Sequence, residues 1–77
     1  MVKLSPELIV GAVQSLNPCR ERQLDLRGYK IPLIEHLGAT LDQFDVIDFS
    51  DNELRKLDNF PYLPRLKGLL CNNNRIW

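Results

Sequence analysis

Three segments of the chain carry one pattern: Leu24-x-Leu26-x-x-Tyr29-x-Ile31, Ile47-x-Phe49-x-x-Asn52-x-Leu54 and Leu69-x-Cys71-x-x-Asn74-x-Ile76. The step is 23 residues from Leu24 to Ile47 and 22 from Ile47 to Leu69. A period of about 20 to 29 residues belongs to units too small to bury an apolar face alone, so they stack, and each contacts only its neighbours. Such an array usually works through one exposed face, and the default occupant of that face is another macromolecule.

Within each unit the two periodicities separate. Alternation at Leu24/Leu26, Ile47/Phe49 and Leu69/Cys71 predicts short parallel strands. The ladders Ile31, Ile34, Leu37, Leu41, Phe44 and Leu54, Leu57, Phe60, Leu63, Leu66, spaced by three or four, predict inward-facing helical or 3₁₀ turns on the convex side. One extra residue near Gly38-Ala39-Thr40 accounts for the longer first step, and Pro61 and Pro64 disfavour a regular helix around Leu63. Asn52 and Asn74 stand where the chain leaves each strand, and their amides suit backbone groups left unpaired by the bend. Both are assigned structural roles. Tyr29 takes that position in the first unit. Ahead of the array, Ser5-Pro6-Glu7 reads as a helix start. The apolar set Leu8, Ile9, Ala12, Val13 and Leu16 predicts a helix over 6–16, stopped by Asn17-Pro18 and capping the first unit. The division is a helical cap over 1–20 and repeats over 21–77. The expected fold is α/β: a leucine-rich repeat solenoid with a curved parallel sheet of short strands, an N-terminal helical cap and an open C-terminal end.

At 77 residues the chain has ten Lys and Arg against ten Asp and Glu, so charge alone does not make it a non-specific nucleic-acid binder. It shows neither a signal-peptide pattern nor about 20 consecutive apolar residues, and the expectation is a soluble, intracellular protein. Cys71 occupies the core position of Leu26 and Phe49, which favours two reduced cysteines over a Cys19–Cys71 disulfide. His36 lies in no metal-ligand spacing and aligns with Asn59 on the exposed convex side, so no metal and no cofactor are assigned.

If the repeat leucines face inward, their neighbours line the concave side: Gln23, Asp25, Arg27, then Val46, Asp48, Ser50, then Gly68, Leu70, Asn72. Asp25, Arg27, Asp48, Ser50, Leu70 and Asn72 are the candidate partner-binding residues, a polar surface with one apolar patch. Nucleophile elbows, phosphate loops and dinucleotide fingerprints are absent from the sequence, and an open sheet gives Asp25 and Asp48 no desolvated pocket. No enzyme is expected.

Longer identities go beyond the generic pattern. The runs Asp25-Leu26-Arg27-Gly28-Tyr29-Lys30-Ile31-Pro32, Leu37-Gly38-Ala39-Thr40-Leu41-Asp42-Gln43-Phe44-Asp45, Ile47-Asp48-Phe49-Ser50-Asp51-Asn52-Glu53 and Cys71-Asn72-Asn73-Asn74-Arg75-Ile76 resemble the N-terminal repeats of the A-prime proteins of the U2 small nuclear ribonucleoprotein. The resemblance covers 1–76 and departs where that family continues with further repeats. It implies a nuclear, non-enzymatic splicing factor whose concave face embraces a helix of an RRM-containing partner, the B-double-prime protein. It also implies that the pair binds stem-loop IV of U2 small nuclear RNA, with no membrane and no small-molecule substrate. The alternative is a generic intracellular leucine-rich repeat adaptor that binds protein and no RNA.

Overall fold

A computed structural model describes residues 3–76; Met1, Val2 and Trp77, the outermost positions of the segments 1–20 and 21–77, lie outside the described residues. The elements run α1 (Pro6–Gly11), β1 (Val13–Leu16), β2 (Arg22–Asp25), a 3₁₀ turn (Leu37–Thr40), β3 (Val46–Asp48) and β4 (Gly68–Leu70). The strands form one sheet in the order β1-β2-β3-β4. β2, β3 and β4 are parallel and in repeat register: Leu24, Ile47 and Leu69 lie side by side, as do Asp25, Asp48 and Leu70. Ladder bonds continue past the strands, from Leu26 N–H to the Asp48 carbonyl at 2.9 Å and from Phe49 N–H to the Leu70 carbonyl at 2.7 Å.

The expected helix over 6–16 is corrected. Ser5 caps α1 by accepting from Leu8 N–H at 3.1 Å, and Pro6 starts the first turn as anticipated, but the helix ends at Gly11. The chain then forms β1, antiparallel to β2, so the sheet is mixed and not wholly parallel. The physical reason is an edge: without β1, the backbone of Arg22–Asp25 would be unpaired on one side, and the hairpin pairs it. Asn17, read as a helix stop, closes the hairpin. Its Oδ1 accepts from Cys19 and Glu21 N–H, both at 3.0 Å, and its Nδ2 donates to Glu21 Oε1 at 3.1 Å.

The core joins α1 to the first two coils. Leu4, Ile9, Ala12, Leu24, Leu26, Ile31, Ile34, Leu37, Phe44, Ile47, Phe49 and Leu54 are buried together, with Leu63, Leu66, Leu69 and Cys71 packed partly against them. Leu41, expected inside, is 74% exposed. It follows the 3₁₀ turn with φ +54°, and that left-handed bend directs the chain outward before Phe44 re-enters the core. Leu57 and Phe60, also expected inside, are exposed. They lie on an irregular stretch without helix or strand, bent at Asn59 with φ +61°, and too little is packed against them to cover them. Both cysteines are free thiols, Cys19 exposed and Cys71 half-buried.

Candidate partner-docking face

Asn52 organises the bend from which the face projects. Its buried amide oxygen accepts from Tyr29 N–H at 3.1 Å and Ile31 N–H at 2.9 Å, and its nitrogen donates to the carbonyls of Leu26 at 2.7 Å, Phe49 at 2.8 Å and Ser50 at 3.2 Å. One side chain thus joins its own coil to the preceding one, satisfying groups that the turn leaves without ladder partners. Asn74 repeats this toward the second coil, accepting from Leu54 N–H at 3.0 Å and donating to the Phe49 carbonyl at 2.9 Å. The residues just before this ladder, Gly28, Asp51 and Asn73, all have positive φ, +74°, +61° and +58°. Glycine, aspartate and asparagine are the types that tolerate the left-handed region, so the Gly/Asp/Asn recurrence at steps of 23 and 22 was a turn signal in the sequence.

Across the strands, register brings the candidate residues into rows. Asp25, Asp48 and Leu70 share one row, and Arg27, Ser50 and Asn72 follow beyond the strand ends. They differ in access. Arg27, Leu70 and Asn72 are exposed, Asp25 is half-buried, and Asp48 and Ser50 are buried, Asp48 at 6%. The two aspartates also have a local task. Asp25 Oδ1 accepts from Arg27 N–H at 3.0 Å and Asp48 Oδ1 from Ser50 N–H at 2.9 Å, the same side-chain turn 23 residues apart. Ser50 Oγ accepts from Asn72 N–H at 3.3 Å.

Arg27 gathers the charges. Its Nη2 meets Asp51 Oδ2 at 3.0 Å, and its Nε lies 3.8 Å from Asp48 Oδ2. The hydrogen bond and charge of Asp51 hold the Arg27 proton more firmly than usual. Asp51 is kept below the usual carboxylate range by a hydrogen bond from Asn73 and then by Arg27. Burial, aided by Asp48, raises Cys71, so its thiol stays protonated. Opposite these, at the start of the strands, Asp45 accepts from Arg22 N–H at 2.9 Å and from Arg65 Nε at 3.3 Å, and its carboxyl is lowered chiefly by the Arg22 bond. Repeat position alone did not single out this rim, nor β1, which adds Val13 and Ser15 beside Asp25 and Gln23. Among the described residues, no group of three or more His, Cys, Asp or Glu side chains could hold a metal ion, and no helix is long and apolar enough to cross a membrane.

Coils of 22 to 23 residues joined by an asparagine, with strands on one side and irregular or 3₁₀ segments on the other, define a repeat solenoid. The chain belongs to the leucine-rich repeat family, whose model matches residues 1–77. It is 78% identical over 76 residues to a probable U2 small nuclear ribonucleoprotein A' of Drosophila melanogaster and 74% identical to U2 small nuclear ribonucleoprotein A' of Homo sapiens. Each match covers 99% of this chain, but the chain spans only 29% and 30% of those two relatives. A chain in the crystal structure of the Drosophila melanogaster SNF/U2A' complex superposes with a TM-score of 0.96 at 76% identity, covering 99% of this chain and 44% of that one. The likeness to the A-prime proteins read from the sequence is borne out.

Proposed function

We propose that this chain supplies the docking repeats of a U2 small nuclear ribonucleoprotein subunit of the A-prime type. Its sheet face holds a helix of an RRM-containing protein of the B-double-prime type and so helps that protein bind stem-loop IV of U2 small nuclear RNA in the nucleus. The observation that carries this reading is the near-superposition, at 76% identity, on a U2A' chain in complex with SNF. The role is positional. A net charge of zero supplies little phosphate attraction, so the RNA contribution comes through holding the partner in place. Asp25, Arg27, Leu70 and Asn72 are the accessible docking residues, while Asp48 and Ser50 act from beneath by shaping the turn.

The test is titration of labelled stem-loop RNA with the RRM protein alone, with this chain alone, and with both. Negligible RNA binding by this chain alone at physiological salt, together with tighter binding by the pair than by the RRM protein, is expected. Asp25→Lys should weaken docking, whereas Glu35→Lys on the convex side should not. Tight RNA binding by this chain alone, or equal behaviour of the two variants, overturns the reading.

A further inference from the structure

The antiparallel hairpin adds a fourth column to the docking face. Pairing sets Val13 opposite Asp25 and Ser15 opposite Gln23, and paired residues project from the same side of a sheet. One row therefore runs Val13, Asp25, Asp48, Leu70. Its two ends are aliphatic and open, Val13 at 63% and Leu70 at 42% exposure. Its middle is anionic: Asp25, Asp48 and the adjacent Asp51 set three carboxylates against the single guanidinium of Arg27, a local charge of −2. Width points the same way. Three strands put the outer columns about 10 Å apart and four put them about 14 Å apart, at about 4.8 Å per strand, whereas a helix with its side chains is about 10 to 12 Å across. Three columns are narrower than a helix, and four are wider.

We propose that Val13 and Leu70 are the two apolar shoulders of the docking face, with half-buried Asp25 as its accessible anionic floor and buried Asp48 adding its charge from beneath. The occupant is an amphipathic α-helix of the partner, with basic side chains on the stripe that meets the floor and aliphatic side chains on both flanks. This rests on the docking function proposed above and adds to it the column from β1 and the chemistry of the partner helix.

The experiment measures binding of the purified fly SNF protein to this chain and to four variants. Leu16 is the control: it lies on β1, is 68% exposed, and pairs with Arg22, so it projects from the other side of the sheet. Val13→Lys loses an apolar contact and places a cation beside a basic helix, and should weaken binding about tenfold or more. Val13→Glu should weaken it less, Val13→Thr about threefold, and Leu16→Lys less than about twofold. Val13→Thr keeps a β-branched residue in the strand, so it retains a readout even if the charged variants unfold. If the unaltered chain binds SNF and both Val13→Lys and Val13→Thr bind equally well, the shoulder assignment is wrong and the docking reading survives. Absence of SNF binding by the unaltered chain overturns both. Equal losses in Val13→Lys and Leu16→Lys would assign the effect to hairpin stability, and a change in self-association alone would assign the face to a second copy of the chain; either overturns the proposal.

Discussion

Asn52→Ala removes one small side chain and leaves three backbone groups without a partner. The Ile31 N–H and the Leu26 carbonyl are bonded to Asn52 in a buried setting, and the Tyr29 N–H in a partly buried one. The Phe49 carbonyl keeps its bond from Asn74, and the Ser50 carbonyl keeps one from Gly28 N–H at 3.2 Å. A buried group left unsatisfied costs about 1 to 3 kcal/mol. Two buried groups, with water serving the third, give a loss of about 2 to 6 kcal/mol. A domain of this size is stabilised by only about 4 to 12 kcal/mol in total, at 0.05 to 0.15 kcal/mol per residue. The variant should therefore lose a large fraction of its stability, and its urea midpoint should fall markedly. Urea unfolding followed by far-ultraviolet circular dichroism measures the loss, provided the slope with denaturant is unchanged. Asn59→Ala is the comparison: it gives up one bond to the Ile34 carbonyl, at 3.1 Å from an exposed side chain, and should cost about 0.5 to 1 kcal/mol. A loss below about 1 kcal/mol for Asn52→Ala, or equal losses in the two variants, would refute the bridging role.

The depressed Asp45 carboxyl makes part of the stability pH-dependent. Because its folded value lies below the unfolded value of about 3.9, its contribution is present above that pH and is lost as pH falls through the folded value. Asp45→Asn should therefore be weaker than the unaltered protein at pH 7, and the two should converge in acid when denaturant midpoints are followed against pH. Leu37→Ala, at a buried position, should cost about 2 to 5 kcal/mol, while Leu41→Ala should stay within about 0.5 kcal/mol, where equal places in the ladder would imply equal costs. Leu57, Phe60 and Tyr62 leave an exposed apolar surface on the second coil, so sedimentation at rising concentration should show self-association that Phe60→Lys reduces.

The array was legible because strand and turn spacings repeat together: Leu24, Ile47 and Leu69 align by counting alone, and their register follows. The hairpin was not. Leu8, Ile9, Ala12, Val13 and Leu16 satisfy a helical period, and nothing in that window reveals that Arg22–Asp25 needs a partner for its outer side. The competing long-range pairing won over local periodicity, and Gly11 and β-branched Val13 were the only local hints. Leu41 was misplaced because spacing does not register a left-handed bend. On the sheet face, alternation placed Asp25, Asp48 and Leu70 in the row that the register shows, but it could not show that Asp25 and Asp48 each hold their own turn, since that depends on backbone direction beyond the strand.

The hairpin also makes the array one-sided. β2, β3 and β4 share a parallel ladder, so another coil of the same period can join alongside β4 in matching register. β1 runs against the repeats on the opposite flank, so a coil stacked there in the repeats' own direction would meet it antiparallel, outside the parallel register that joins β2, β3 and β4. Duplication of a 22-residue unit thus continues the parallel ladder on one flank and interrupts it on the other. A designer lengthening this scaffold, or a lineage doing so by tandem duplication, has a single direction of growth, fixed by one short reversed strand.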